Sequence, residues 1–252
     1  MNLLNKDTWK PKKYLVFITS YCGMDYFNSW SQEIRNSENI QLVGIDVGNQ
    51  PVSVTIKDFP IYQIENVGCA GCWNFACNVG FNLYGTDKII IGQDDAIFNE
   101  SMTEHIWNET TDEMLVGAYD RGFTYAFFGI TKKFWHDVGL FDENFIISTY
   151  EDNDYIHRIR VMNKQWKSLN ISADLNCNIS SRLIGNDIRT INKNYMTEKW
   201  GHYEGIYNNP FNNSEIQPNE CIMHKNLKDL YGEVSKFPSL LEFDNLLQHL
   251  SS

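Results

Sequence analysis

The chain has 252 residues, enough to bury a sizeable core in one large α/β domain or a domain with a small appendage. Its formal net charge of -11 argues against a broad electrostatic grip on nucleic acid, which rests on many Lys and Arg contacts to phosphate. Hydrophobic residues at 42% and aromatics at 14% exclude a disordered chain, and no apolar leader or window long enough for a membrane span is seen, so a soluble, cytoplasmic protein is expected.

In chain order, residues 13–20 read as a first strand that closes in small hydroxylic residues and Tyr21, a place suited to a ligand loop. Aromatic and apolar residues at helical spacing (Tyr26, Phe27, Trp30, Ile34) lie between about 24 and 36, ahead of a second strand at 40–46 that ends in Asp46. Strand, helix and strand imply a parallel βαβ unit. Residues 52–56 and 61–66 are further short β-type runs. The small-residue segment 67–81 has early glycines that let backbone approach a ligand closely, and the rest of it reads as a helix packed under the sheet. The G-x-G-x-x-G fingerprint and the P-loop are both missing.

Residues 88–93 form a short, β-branched run that reads as a buried central strand, and Asp94 and Asp95 follow at its tip. That puts two adjacent carboxylates at the carboxyl edge of the sheet, where open α/β sheets bind ligands. Such a pair repels itself unless a proton or a cation intervenes, and a hard divalent ion with oxygen ligands is one resolution. A solvated turn with an Asx-type cap is the other.

A helix over 101–108, strands at 114–119 and 124–130, a helix capped by Thr131 and running to Val138, and a turn at 139–145 come next. The second acidic cluster, around 150–160, has helical logic. Asp152 and Asp154 sit in a first turn, where the dipole favours negative charge, and Arg158 and Arg160 lie toward the other end. Residues 169–179 read as a strand, and Asn186, Asn192 and Asn194 as turn residues. A final amphipathic helix at 239–250 would dock on the body or on a twin subunit, making a homodimer. The six cysteines are expected as free thiols, because Cys69-Ala70-Gly71-Cys72 lacks the second pair a structural zinc site needs.

Four segments carry a family likeness: Gly68 to Gly80, closing in Asn78-Val79-Gly80; Gln93-Asp94-Asp95; Phe128 to Phe145, followed by Tyr150-Glu151-Asp152-Asn153-Asp154; and Lys199-Trp200-Gly201 with Pro210-Phe211-Asn212. On these the chain resembles family 2-like glycosyltransferases of small bacterial and viral type. The G-x-F-D-E and E-D-x-D block is the most specific part. The resemblance implies the GT-A fold, a Rossmann-like mixed, mostly parallel sheet flanked by helices. It divides a single domain into a nucleotide-sugar half (13–100), a catalytic half (101–180) and a C-terminal extension (181–252).

The activity implied is metal-assisted, inverting transfer of a sugar from a nucleotide-sugar donor to a hydroxyl of a glycan, a lipid-linked sugar, a protein or a modified nucleobase. Thr19, Ser20, Tyr21 and Asp46 would meet the donor's base or ribose, and Asn78, Asp94 and Lys199 would add donor contacts. Asp95, with Asp94, would hold Mn2+ or Mg2+, with His202 and His224 as candidate further ligands. Gln93 stands where a strict DxD motif has its first aspartate. Asp152 would act as general base with Glu151 orienting it, while Phe128, Gly129 and Trp200 would face the acceptor. Each has a plainer counterpart: a cap for Asp46 and Asp152, a surface or core role for the histidines, a packing anchor for Trp200. A binding module without turnover and a nucleotidyltransferase are the rival readings, and the missing phosphate loop counts against the second.

Overall fold

In the computed structural model, the residues described are 12–20, 27, 31–47, 59–64, 67–119, 123–145, 147–172 and 186–201. The expectations for Tyr21, His202 and His224, for residues 52–56, 210–212 and 239–250, and for Cys22, Cys177 and Cys221 lie outside them. Strands β1 (Tyr14–Ser20), β2 (Ile40–Asp46), β3 (Ile61–Gln63), β4 (Lys88–Gln93), β5 (Met114–Tyr119), β6 (Phe123–Thr131) and β7 (Gln165–Ser172) form one sheet, in the order β3-β2-β1-β4-β6-β5-β7. Every residue of β1 is buried, as befits a central strand covered on both faces. It pairs in parallel with β2 and β4, while β6 runs antiparallel to β4 and β5. The sheet is therefore mixed and mostly parallel, flanked by helices, as the sequence implies.

The helices are α1 (Gln32–Arg35), α2 (Gly68–Asn78, continued by a π turn at Val79–Leu83), α3 (Glu100–Glu109), α4 (Lys132–Val138), α5 (Glu151–Val161) and α6 (Asn186–Trp200). Alternation along β1 divides the core. Leu15 and Phe17 point to the face packed by α2, α4 and α5, whereas Tyr14, Val16 and Ile18 point to the face of α1 and α3. Asn99 caps α3 by accepting from the Met102 N–H, and Thr131 caps α4 by accepting from the Phe134 N–H, each bond worth about 1 kcal/mol.

Two expectations need correction. The strand placed at 169–179 begins earlier, at Gln165, and is described to Ser172. Asn186, Asn192 and Asn194 lie in α6 rather than in turns. Asparagine's local preference for turns yields there to packing: Met196 and Trp200 bury against Phe145. Among the described residues no helix is long and apolar enough to cross a membrane.

Candidate active site

The chain lays β1, β2 and β3 toward one edge of the sheet and then returns to place β4 on the other side of β1. That makes the carboxyl ends of β1 and β4 a topological switch point, the place where open α/β sheets bind ligands. Register sets Ser20 beside Asp46 and Thr19 beside Gln93, bringing these strand tips together with Asp94 and Asp95. Ser20 Oγ donates to Asp94 Oδ2 at 2.5 Å, and the Asp94 N–H donates to the Thr19 carbonyl at 3.1 Å. Thr19 Oγ1 is turned back onto the Gly92 carbonyl at 3.3 Å.

Asp95 is 7% exposed, and among the described residues its Oδ1 accepts no hydrogen bond. Burial pushes its carboxyl up to about 7, with the neighbouring Asp94 charge adding to the rise. Burial also raises Asp94, against the hydrogen bond from Ser20, and the negative charge of Asp46 adds to that. A counter-charge would relieve both. The donor set suits a hard divalent ion, with two adjacent carboxylates and one bare buried oxygen. It is an incomplete set, since among the described residues no three His, Cys, Asp or Glu side chains gather as a ready-made metal cluster.

The second acid pair opens α5. Glu151 is buried, its Oε1 accepts from Ser148 Oγ at 3.2 Å, and its Oε2 has no partner among the described residues. Burial pushes the Glu151 carboxyl up to about 8, and the adjacent Asp152 charge contributes. Asp152 is raised as well, by burial, although its Oδ1 accepts the Asn153 N–H at 2.8 Å. Asp154, two positions on, is placed differently. It pairs with Arg158 at 2.9 Å and Lys199 at 2.7 Å, and it accepts from Trp200 Nε1 at 2.8 Å.

The start of α2 packs against the turn that leads into Glu151 and Asp152. Gly68 has φ +72°, and a Cβ there would stand 2.8 Å from the Ile147 carbonyl oxygen, which accepts the Cys69 N–H at 2.6 Å. The charges of Glu151 and Asp152 reach the Cys69 thiol, and those of Glu143 and Asp46 reach Cys72 one turn later. Burial keeps both thiols protonated, Cys72 pushed up to about 12, and both are free. Thiolate or redox chemistry at this pair is thereby disfavoured.

Thr19, Ser20, Asp46, Asp94 and Asp95 thus meet at one edge, while Glu151 and Asp152 stand beside Cys69 in the first turn of α2. Other expected positions stand elsewhere. Asn78 closes α2, about 15 Å along the helix from Gly68, and its Oδ1 accepts from Asn82 Nδ2. Lys199 is locked between Asp142 and Asp154 rather than turned to a diphosphate. Trp200 packs beside His157 and bonds Asp154, which makes it an anchor. Phe128 is fully buried against Trp73, Tyr125 and Phe141, and a Cβ on Gly129 would meet Thr110 Oγ1 at 2.3 Å. These two belong to the interior of the sheet. Asn192, read as a turn residue, instead touches the turn before Glu151. The spacing of Asn192, Met196 and Trp200 at intervals of four is the signal that would have placed it on a buried helix face.

No protein-family model matches the sequence, and no match was found among curated proteins. Among solved structures, the chain is similar to the galactosyltransferase LgtC in complex with donor and acceptor sugar analogues, at 13% identity and a TM-score of 0.41 over 61% of this chain. It is also similar to the glycosyltransferase GlyE of Streptococcus pneumoniae TIGR4 (14% identity, TM-score 0.42, 63% of this chain) and to GalNAc-T7 with UDP, GalNAc and Mn2+ (9% identity, TM-score 0.44, 66% of this chain). The matches span 72% of LgtC, 46% of GlyE and 45% of GalNAc-T7.

Proposed function

We propose that this chain is a metal-assisted, inverting glycosyltransferase of the GT-A fold, moving a sugar from a nucleoside diphosphate donor to an acceptor hydroxyl. The observation that supports it is the presence of two acid pairs, Asp94-Asp95 just after β4 at the switch-point edge and Glu151-Asp152 at the start of α5, each with one buried and one half-buried carboxylate. Two pairs in separate settings permit a division of labour that one cluster would not. Ser20 and Asp46 offer a hydroxyl and a carboxylate to a base or ribose at the carboxyl edge. Asp95, with Asp94, would hold Mn2+ or Mg2+ beside the diphosphate. When bound, such an ion offsets the charge that grows on the leaving group as the glycosidic bond breaks.

Asp152 takes the proton from the acceptor hydroxyl while that oxygen attacks the anomeric carbon opposite the departing diphosphate. Burial raises both carboxyls, and the charge of Asp152 adds to the rise at Glu151, so the pair resists carrying two negative charges at once. Neighbouring Asp154 is already neutralised by Lys199 and Arg158, which leaves Asp152 as the base.

The test is a panel of nucleotide sugars with Mn2+, followed for release of nucleoside diphosphate. Turnover of at least one donor by the wild type, with at least a hundredfold loss in Asp152→Asn while that donor still binds, is expected. Binding without any turnover across the panel would instead favour a module that has lost catalysis, and undiminished turnover by Asp152→Asn would remove it from the mechanism.

A further inference from the structure

The turn that delivers Glu151 and Asp152 is built against backbone preference. Ile147, Thr149 and Tyr150 have φ of 62°, 91° and 71°, three left-handed non-glycine residues within four positions. Two of them are β-branched, for which a positive φ is a true outlier. Such a turn persists only if its surroundings hold it. On one side the start of α2 does so, through the Cys69 N–H on the Ile147 carbonyl and the close fit of Gly68.

On the other side stands Asn192 of α6, a fully buried amide. Its Nδ2 faces the carbonyl of Ser148 at 2.9 Å, the carbonyl of Thr149 at 3.3 Å and Thr149 Oγ1 at 3.2 Å. One of the two residues it grips bonds to the acid that follows: Ser148 Oγ donates to Glu151 Oε1. α6 itself is docked by other groups, with Met196 and Trp200 against Phe145 and Lys199 between Asp142 and Asp154. Loss of the Asn192 amide therefore frees the turn without releasing the helix.

We propose that Asn192 is a positioning residue, whose side-chain amide holds the left-handed turn 147–150 and so fixes how Glu151 and Asp152 enter the site. The clamp stands on geometry alone, and its bearing on turnover rests on the glycosyltransferase reading.

Amide hydrogen exchange on the full chain tests it, comparing the wild type with Asn192→Leu, which fills similar space without a donor, and Asn192→Ser, which keeps one. In Asn192→Leu, exchange at residues 148–152 is expected to quicken at least tenfold while residues 193–200 keep the wild-type rate. Asn192→Ser should fall between. With a donor that the wild type turns over, Asn192→Leu should lower kcat at least tenfold and leave the donor KM within twofold. Unchanged exchange at 148–152, or equal acceleration along α6, overturns the proposal, as does unchanged kcat in a turn shown to be loosened. If the wild type turns over no donor, the glycosyltransferase reading fails and the exchange result alone decides the clamp.

Discussion

Two aspartates two positions apart, Asp152 and Asp154, have been given different work by their neighbours. Asp154 is sealed between Arg158, Lys199 and Trp200, so Asp154→Asn leaves buried cations short of a partner and should cost about 3–5 kcal/mol of stability, read by thermal unfolding. Asp152→Asn, by contrast, removes a carboxyl whose charge burial disfavours. It should keep or slightly raise the melting temperature while abolishing transfer, and a large loss of stability there would show that Asp152 is part of the scaffold. Glu151 adds a pH dependence. Its carboxyl titrates at about 8 when folded and near 4.5 when unfolded, so the native state binds the extra proton between those values. Stability from this group is complete below about pH 4.5 and is lost as pH rises through about 8. If about 2 kcal/mol of that shift is expressed, the wild type should lose about 4–8 °C more than Glu151→Gln between pH 5 and pH 9. Parallel melting curves for the two proteins would contradict the assignment.

Among the elements, strands β1 to β6 and helices α2 to α5 are legible in the sequence for physical reasons. An unbroken run such as Ile89-Ile90-Ile91 is hard to place outside a buried strand, and Thr131 advertises the start of α4 by its capping oxygen. α6 was not legible from local preference, because three asparagines speak for turns and only the period of the buried residues speaks for a helix. Its hold on the body comes from charge as well as packing. Lys199 donates to Asp142, which Lys199 holds down at about 2 against its burial, and it also pairs with Asp154. Lys199→Met would keep most of the volume and leave buried Asp142 without its ammonium partner, while Asp154 keeps Arg158. At pH 7 it should lose about 3–5 kcal/mol. That loss should shrink toward pH 4, where the Asp142 carboxyl, now raised by burial, takes up a proton. A deficit that is the same at both pH values would mean that packing, not charge, carries the contact.

For the molecule as a whole, the order of strands fixes where a ligand can lie, and that much followed from alternating strands and helices before any side chain was placed. The positions of Ser20, Asp46, Asp94 and Asp95 were readable too, since each stands at the end of an apolar run. Lys199, Trp200, Phe128 and Gly129 were not, because a residue matched by motif says nothing of which way it is buried. The division between the two acid pairs makes a test that spans the sheet. A nucleoside diphosphate with Mn2+ binds only the native state, so at about 100 times its dissociation constant it should add about 2.7 kcal/mol, or roughly 5–10 °C in melting temperature. Asp95→Ala should lose the Mn2+-dependent part of that shift, because in the proposed site its bare Oδ1 and the Asp94 oxygens would be the ion's hard ligands. Asp152→Asn should keep the shift in full, since neither Glu151 nor Asp152 is among the charges that act on Asp94 and Asp95. Equal stabilisation of wild type and Asp95→Ala would place the ion elsewhere, and a loss in Asp152→Asn equal to that in Asp95→Ala would merge the two acid pairs into one site.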